Sequence, residues 1–441
     1  MSKLQKWYRR TDWYMVFNAR NEAAKARTYM MGALSVESII NGLTTGIFYT
    51  GFLMCYGINI INISILAIIP NITSFFTLLT PFILDRFPKR RTLITVTRIL
   101  YYAIWILGVT FLPMVLTDAT ARIIGLAVVV FLSNAIAHLF SGYSPWHMPY
   151  ITADIRTTYF SARSLVSNIV TSTVALATSL VTENLSQNRQ IEVFTALRLV
   201  AFVLAIVDVY LMQKPKEPEY LLSSRPSLLN VIKLPLKNKK FMLTMLICFL
   251  HGFVMNASHS MLNGWMLEQV GTGYFYPTLI NTFTPVFILL TSRPWSKVMH
   301  KLGNFRAYAI FMTIMAISVI AHSFVDSTNY LWLNTAVIIV QHCNSMLGSY
   351  ATGNFIYLNL PKEDQTCFIS FHSLVGCVAN LISMSIGTAV AAVMGDGSWV
   401  ILGHQFTSIP TLLFFQGFAI FGVGMFALAI RKAAEPEGRN M

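Results

Sequence analysis

The chain has 441 residues, of which 55% are hydrophobic and only 11% are charged, and its formal net charge is +14. Soluble domains carry about 25% charged residues, so this composition excludes a water-soluble globule and places the chain in a bilayer. The five cysteines are scattered and form no CxxC pair, which argues against a disulfide framework, a metal site or a redox site.

Apolar stretches long enough to cross a hydrocarbon core of about 30 Å recur along the whole chain. Twelve of them are predicted to be transmembrane helices, which makes this an all-α membrane protein. They cover residues 29–50, 58–84, 93–115, 122–142, 163–182, 193–213, 241–262, 275–293, 306–324, 329–350, 369–394 and 407–430. The span 193–213 contains Arg198 and Asp208, which we interpret as snorkelling to the helix ends or paired with a loop.

Lysine and arginine fall almost entirely on one side of these spans. All but Arg122, Arg189 and Arg198 of the 32 basic residues lie in the tails and in alternate connections, including residues 85–98. Because basic residues accumulate in cytoplasmic loops, both termini and the central loop are predicted to be cytoplasmic. The positive charge therefore indicates the topology of a multi-pass protein of the cell membrane, and it does not indicate a nucleic-acid site.

The segment before the first span mixes aromatic and basic side chains, a pattern typical of a segment that lies among lipid headgroups. The aromatic residues are Trp7, Trp13, Tyr14 and Phe17, and the basic residues are Lys3, Lys6, Arg9 and Arg10. We expect this segment to be an interfacial anchor on the bilayer.

The longest polar connection, residues 214–240, divides the spans six and six. An offset of 215 residues places Pro70 on Pro285 and Arg91 on Arg306, as expected if both halves share one fold in parallel orientation. We therefore predict two parallel six-helix pseudo-repeats. The predicted domains are an interfacial segment 1–28, a bundle 29–213, a cytoplasmic linker 214–240, a second bundle 241–430 and a cytoplasmic tail 431–441.

The turn after the second span carries a recognisable motif. Residues 85–91 read Asp-Arg-Phe-Pro-Lys-Arg-Arg, which resembles the Asp-Arg-x-Gly-Arg-Lys signature of the major facilitator superfamily. Residues 301–306, Lys-Leu-Gly-Asn-Phe-Arg, resemble its weaker second copy. The first copy has Pro88 where the family usually has Gly, and the second has His300 where an acid would stand. The whole chain resembles a bacterial-type member of this superfamily, without the marks that would fix a subfamily.

The resemblance implies two six-helix bundles that open a central site alternately to each side of the membrane. It also implies that charged residues of the cytoplasmic loops clamp the bundles together when the site faces outward. By position, the candidates for this cytoplasmic gate are Asp85, Arg86, Arg90, Arg156 and Arg163. The alternative is that these arginines only anchor the topology.

Glu37 is the acidic residue that lies well inside a predicted span. Asn41 and Thr45 follow it at intervals of four residues, so the three side chains share one helix stripe. Burial favours the neutral form of a carboxyl group, which suits a group that binds and releases protons. We interpret Glu37 as the residue that couples transport to protons; the alternative is a glutamate that hydrogen-bonds a neighbouring helix only for packing.

Other polar residues of the predicted spans are candidates for binding a substrate. The seventh span carries His251, His259 and Asn263 at multiples of four residues, and if the family arrangement holds, spans one, four, seven and ten line the cavity. For each histidine alone, packing within the protein is an equally good interpretation. The candidates are Asn41, Thr45, Asn134, His138, His251, His259, Asn263, Gln341, His342, Asn344 and Asn380.

The sequence contains no enzyme signature, because it has no P-loop and Gly422-Val423-Gly424 follows no strand. We expect a monomeric secondary active transporter, a proton-coupled symporter of a small polar or amphipathic solute, with no cofactor and no bound metal. The duplicated fold favours transport. Two alternatives remain open, a lipid or amphiphile flippase on the same fold and a non-transporting membrane sensor or transferase.

Overall fold

The computed structural model describes residues 12–17, 21–84, 87, 90–139, 150–152, 155–217, 228–361, 365–401 and 403–434. Internal contacts divide the chain into two compact units. The first unit contains Met1–Ile58 and Phe76–Ser224, and the second contains Asn59–Phe75 and Arg225–Met441. The second unit thus includes the beginning of the second predicted span.

The first unit consists of helices. They are α1 Asp12–Phe17, α2 Glu22–Thr44, α3 Gly46–Cys55, α5 Thr80–Leu84, α6 Arg90–Tyr102, α7 Val109–Val115, α8 Ala119–Leu139, α9 Arg156–Thr182 and α10 Gln187–Gln213. A π-helical segment, Ala103–Gly108, joins α6 to α7, and a 3₁₀ segment, Ser74–Leu79, precedes α5.

The described residues of the second unit form helices and one hairpin. Its helices are α4 Ile60–Thr73, α11 Leu228–Lys237, α12 Lys239–Met255, α13 Leu262–Trp265, α14 Phe275–Thr282, α15 Thr284–Leu302, α16 Asn304–His322, α17 Leu333–Leu358, α18 Gln365–Met394, α19 Ser408–Ala429 and α20 Arg431–Ala434. A π-helical segment, Met266–Val270, follows α13. Strands β1 Trp399–Ile401 and β2 His404–Phe406 pair antiparallel, with Val400 opposite Gln405.

Each of the twelve predicted spans coincides with helix. Among the described residues, nine stretches are long and apolar enough to cross a membrane, and α12, α15 and α17 are not among them. Helix α12 has only 17 residues, α15 carries Arg293 and Lys297, and α17 is rich in polar residues. The crossing of these three helices, and the side of the membrane on which the termini lie, stay predictions.

The core of the first unit forms where α2 packs against α9 and α10. Ile40 of α2, Tyr102 of α6 and Ala205 of α10 belong to one buried cluster. Burial of a large apolar side chain contributes about 1.5–3 kcal/mol, so this cluster holds the helices together. In the second unit α16 packs against α17 and α19, and α4 packs against α18, where the Ser64 hydroxyl lies 2.5 Å from those of Ser260 and Thr388.

Two predicted helices are interrupted. The span 29–50 breaks after α2, because Thr45 is extended and Gly46 has a φ of +62°, a conformation that glycine adopts without strain. The span 241–262 breaks after α12, and the chain resumes helix only at Leu262. The prediction of one continuous helical stripe through His251, His259 and Asn263 is therefore wrong.

The described part of the N-terminal segment packs on protein. Val16 of α1 is buried against Ile151, Ile155 and Tyr159. The side chain of Arg27 donates hydrogen bonds to the Val16 carbonyl at 2.8 Å and to the Tyr150 carbonyl at 2.7 Å. Residues 1–11, which carry most of the predicted interfacial pattern, lie outside the described ranges.

Candidate functional site

The second unit contains a cavity of about 340 Å³, which is within the usual size range of small-molecule sites. Helices α12, α16 and α17 form its wall. Six lining side chains can form hydrogen bonds, and they are His251, Gln341, His342, Ser345, Ser349 and Thr352. The other lining residues are Met255, Phe311, Met315 and Gly348. None of these described residues is Asp, Glu, Lys or Arg.

Protein contacts hold the two histidines of the cavity. His251 Nδ1 lies 3.2 Å from the hydroxyl of Tyr308, and the His251 ring contacts Phe311. His342 Nε2 lies 3.0 Å from the Thr284 hydroxyl, and its ring stacks on Phe287. Each imidazole is therefore oriented by one hydroxyl group and by aromatic rings, Tyr308 and Phe311 for His251 and Phe287 for His342. One hydroxyl occupies one ring nitrogen at a time, so the other nitrogen can bind a ligand.

Gln341 offers hydrogen-bonding groups that the protein does not use. Within the part of the chain that the structure describes, neither the Gln341 amide nor the Ser349 hydroxyl has a hydrogen-bond partner, although both line the cavity. By contrast, Ser345 and Thr352 donate to carbonyls of their own helix, at 2.7 and 2.8 Å. An amide carries two donors and one acceptor, so Gln341 can bind either kind of polar group.

Gly348 shapes the wall between α16 and α17. A Cβ atom at this position would lie 2.4 Å from the Phe311 ring, closer than carbon atoms approach in proteins. The absence of a side chain lets the Phe311 ring rest against α17 beside the cavity. Phe311 therefore adds an aromatic surface to a wall that also contains Met255 and Met315.

The remaining predicted binding residues of the second unit lie outside this cavity. Asn344 is buried and donates to the Phe311 carbonyl at 2.9 Å, so it ties α17 to α16. Asn380 accepts a hydrogen bond from Asn256 at 2.9 Å. His259 is exposed in the break after α12, and Asn263 is half-buried in α13.

In the first unit three charged side chains come together, which we term the charged cluster: Glu37 of α2, Arg98 of α6 and Asp208 of α10. Arg98 Nη2 lies 3.2 Å from Glu37 Oε2, and Arg98 Nε donates to Asp208 Oδ2 at 2.5 Å. Tyr102 also donates to Asp208 Oδ2, at 3.0 Å. Asp208 is completely buried and the Arg98 side chain is 11% exposed, whereas the Glu37 side chain is 36% exposed.

The burial of Asp208 and Arg198 corrects their interpretation as snorkelling or loop-paired residues. Arg198 is only 2% exposed. Its guanidinium donates to the Thr110 hydroxyl at 2.8 Å and to the carbonyls of Thr44 and Trp105 at 3.2 and 3.4 Å. The Thr44 carbonyl lies at the end of α2, where carbonyls lack a donor from the next helical turn. The Trp105 carbonyl lies in the π-helical segment and also accepts from the Val109 N–H. Arg98, which the charge count assigns to the connection 85–98, lies within α6, inside the predicted span 93–115.

The other predicted binding residues of the first unit make local contacts. Asn41 is exposed, and its carbonyl accepts from the Thr45 hydroxyl at 2.7 Å after α2 has ended. Asn134 donates to the Val130 carbonyl within α8 at 2.8 Å. His138 Nδ1 lies 3.2 Å from the Thr77 hydroxyl. These residues do not join the charged cluster.

The predicted gate lies largely outside the described residues. Asp85, Arg86 and the side chain of Arg156 lie outside the described residues. Arg90 is half-buried at the start of α6, and Arg163 is half-buried about two turns into α9. The neighbouring Arg91 forms two hydrogen bonds to the residues that follow α10 or end it. Its guanidinium donates to the Gln213 carbonyl, and its backbone N–H donates to Glu217 Oε1 at 3.0 Å.

Sequence reasoning missed three residues of α16: Phe311 and Met315, which line the cavity, and Tyr308, which contacts His251. The sequence of an apolar helix does not indicate which side lines a cavity. The one available signal was the spacing of three and four residues, which places these side chains on one face of the helix. Asp208 and Arg98 were visible as charges in or near spans. Their pairing depends on which helices pack together, and sequence spacing does not report this.

No group of three or more His, Cys, Asp or Glu side chains suited to a metal ion occurs among the described residues. No protein-family model matches the sequence, and no curated protein matches it either.

Solved structures do match the fold. The nucleoside transporter NupG is 13% identical, with a TM-score of 0.64, and the match covers 93% of this chain and 99% of that protein. A bacterial homologue of the iron transporter ferroportin in an inward-facing state is 13% identical, with a TM-score of 0.68 and coverage of 92% and 98%. A D-xylose-proton symporter is 11% identical, with a TM-score of 0.68 and coverage of 94% and 99%. The fold of this chain is that of major facilitator superfamily transporters.

Proposed function

We propose that this protein is a secondary active transporter of a small, uncharged polar or amphipathic solute, and that the cavity of the second unit binds this solute. The observation that carries the proposal is the lining of the cavity: six hydrogen-bonding side chains lie beside aromatic and thioether groups, and none of the described lining residues carries a fixed charge. The fold supports transport, because its structural neighbours include transporters of nucleosides and of D-xylose.

The lining argues against a charged solute. Removing an ion from water costs several kcal/mol, and a site recovers this cost only with an opposite charge or a dense set of hydrogen bonds. The described lining supplies amide, hydroxyl and imidazole groups. These groups match hydroxyls, amides and ring nitrogens of a neutral solute, while Phe311 and the methionines Met255 and Met315 match its apolar face.

We propose that Glu37 couples this transport to protons. Its side chain is partly exposed, so protons can reach it, and its carboxylate pairs with Arg98 at 3.2 Å. A carboxyl group that alternates between an arginine partner and a bound proton changes the local charge by one, and this change can bias an alternating-access equilibrium. The proposed cytoplasmic gate of Asp85, Arg86, Arg90, Arg156 and Arg163 belongs to the same scheme.

A ligand screen by thermal unfolding tests the substrate class. Purified protein in detergent is heated with neutral sugars, nucleosides and small amides, and with the phosphorylated or carboxylated analogue of each. A ligand at 100 times its Kd stabilises the folded state by about 2.7 kcal/mol. We expect stabilisation by an uncharged compound and none by its charged analogue. Stabilisation only by charged compounds would contradict the proposed site.

Uptake into proteoliposomes tests transport and coupling. The stabilising compound, radiolabelled, is offered with and without an imposed pH gradient. We expect accumulation against its concentration gradient only with the pH gradient, and loss of this accumulation in Glu37→Gln. The matched control is Glu192→Gln, which neutralises an exposed carboxylate that pairs with Arg189 near the start of α10. Scrambling of labelled lipid without solute uptake would instead indicate a flippase.

A further inference from the structure

The charged cluster of the first unit has more negative than positive charge. Two carboxylates, Glu37 and Asp208, share one guanidinium, that of Arg98, at 3.2 and 2.5 Å. When all three groups are ionised, the cluster carries one uncompensated negative charge. In a weakly polarisable surrounding such a charge is costly, so the cluster favours the uptake of one proton.

The two carboxylates differ in access to solvent. Asp208 is completely buried, and within the described residues its Oδ1 atom has no hydrogen-bond partner, while its Oδ2 accepts from Arg98 and Tyr102. Glu37 is 36% exposed. Solvent therefore reaches Glu37 directly, whereas Asp208 is enclosed, with its Oδ2 atom held by Arg98 and Tyr102.

The contact distances indicate which carboxylate holds Arg98 more tightly. Asp208 binds Nε at a distance typical of a strong charge-assisted hydrogen bond, whereas Glu37 lies at 3.2 Å from Nη2, near the long end of the range. The neutralising effect of Arg98 is thus divided unequally. Arg98 attracts the Glu37 carboxylate less strongly than that of Asp208, and the Asp208 carboxylate repels that of Glu37.

We propose that Asp208 sets the proton affinity of Glu37 by competing with it for Arg98. Asp208 is then a positioning residue, and this role rests on the proposed function of Glu37 in proton coupling. Protonation forms one O–H bond on the Glu37 carboxyl and neutralises it, Arg98 stays protonated, and the Arg98–Asp208 ion pair remains. When Glu37 loses the proton, both carboxylates again pair with Arg98.

Other charged and titratable groups near the cluster are consistent with this assignment. Tyr101 and Tyr102 of α6 are the neighbouring phenols, and the Arg98 guanidinium lies 5.4 Å from the centre of the Tyr102 ring. Arg198 lies on the same helix as Asp208, ten residues earlier, a rise of about 15 Å. Its guanidinium faces carbonyls and a hydroxyl, so it does not neutralise Asp208 directly.

Infrared titration of the carboxyl groups tests the proposal without any ligand. The full chain, purified in detergent, is titrated while the C=O band of protonated carboxyl groups is recorded, and the Glu37 contribution is the part absent in Glu37→Gln. Asp208→Asn removes the competing charge and keeps the shape of the side chain. We expect this variant to lower the pH midpoint of the Glu37 band by at least about one pH unit, since Arg98 then pairs fully with Glu37.

A second variant predicts the opposite sign. Tyr102→Phe keeps the ring and removes the hydroxyl that donates to Asp208. Asp208 then depends more on its ion pair with Arg98. The midpoint of the Glu37 band should rise, by less than in the first case. If Asp208→Asn does not yield folded protein, this variant decides the question. Glu192→Gln is the control and should leave the midpoint unchanged.

The outcomes separate this inference from the proposed function. If Glu37→Gln removes no titrating band, Glu37 does not bind a proton and the coupling proposal itself fails. If the band belongs to Glu37 but both variants leave its midpoint in place, only the competition for Arg98 is overturned. If the band disappears in Asp208→Asn instead, Asp208 is the proton-binding group and the inference is wrong.

Discussion

The charged cluster of the first unit and the cavity of the second unit are both polar sites in helices of a membrane protein, yet they have opposite chemistry. The cluster joins ionic groups from α2, α6 and α10 at 2.5 and 3.2 Å, and Asp208 has no contact with solvent. The cavity joins imidazole, amide and hydroxyl groups and has no Asp, Glu, Lys or Arg among its described lining residues.

This difference has a physical basis. Ions in a membrane-embedded bundle are stable only when other ions or several dipoles surround them, so they occupy contacts between packed helices. A site that must bind and release a solute needs accessible groups that are not already bonded to each other, which the Gln341 amide supplies. Proton binding and solute binding therefore favour different places in the fold, and substitutions should affect one without the other.

The largest expected effect is on the stability of the first unit. Arg198→Met should lower the free energy of unfolding by about 3 kcal/mol, because it removes the donor that the buried Thr44 carbonyl and Thr110 hydroxyl accept from. Thermal unfolding in detergent measures this. Arg189→Met, which removes an exposed cation from the same helix, should cost less than about 1 kcal/mol. Equal losses in both variants would show that Arg198 has no special role.

Solute binding should depend on the cavity alone. Gln341→Ala and His342→Ala should each weaken binding of the stabilising compound about tenfold, the equivalent of about 1.4 kcal/mol for a lost hydrogen bond. Isothermal calorimetry on purified protein measures the affinity. Neither substitution should change the pH midpoint of the Glu37 band, and Glu37→Gln should leave affinity within about a factor of two. A variant that changes both properties would contradict the separation of the two sites.

A smaller change concerns the shape of the cavity. Gly348→Ala places a methyl group where Phe311 now lies, so the ring must move towards the cavity. We expect a loss of affinity of about three- to tenfold, within the range that small steric changes produce in binding sites. Gly353→Ala is the matched control on the same helix, because a Cβ atom there meets nothing within 4 Å. If both variants bind equally well, Gly348 does not define the wall.

The smallest effect lies outside the helices, at a polar contact between the turn after α16 and strand β2 of the second unit. Asp326 Oδ2 lies 3.3 Å from His404 Nδ1. Burial alone would raise the pKa of Asp326, but hydrogen bonds from the Thr328 hydroxyl, the backbone N–H groups of Thr328 and Asn329 and His404 together lower it below its usual 3.8. The contact therefore stabilises the folded state above about pH 3.8, and this contribution is lost as pH falls through the lowered folded-state value.

Asp326→Asn should accordingly lower stability by no more than about 1 kcal/mol at pH 7, since both side chains are well exposed. Comparison of its thermal unfolding with that of the unmodified protein between pH 7 and pH 3 should show the difference shrinking with acidity. A difference that persists unchanged at pH 3 would mean that the carboxylate charge is not its cause.

Most of the helices could be predicted from local sequence patterns. Apolar runs of about twenty residues placed helices over all twelve predicted spans, because a bilayer crossing imposes its length on each segment separately. The two breaks within the predicted helices could not be predicted in this way. Gly46 and the residues after Met255 occur within apolar runs, and whether a helix bends or stops there depends on what packs beside it.

For the sites, the sequence by itself determined residue types and rough depth: Glu37 within a span, and His251, Gln341 and His342 as polar groups on apolar helices. Tertiary structure decided the partners. The contacts of α2, α6 and α10 brought Arg98 and Asp208 to Glu37, and those of α12, α16 and α17 brought Phe311 beside His251 and formed the cavity wall. Helical periodicity fixes which residues of one helix share a face, but the choice of facing helix depends on packing across long sequence separations.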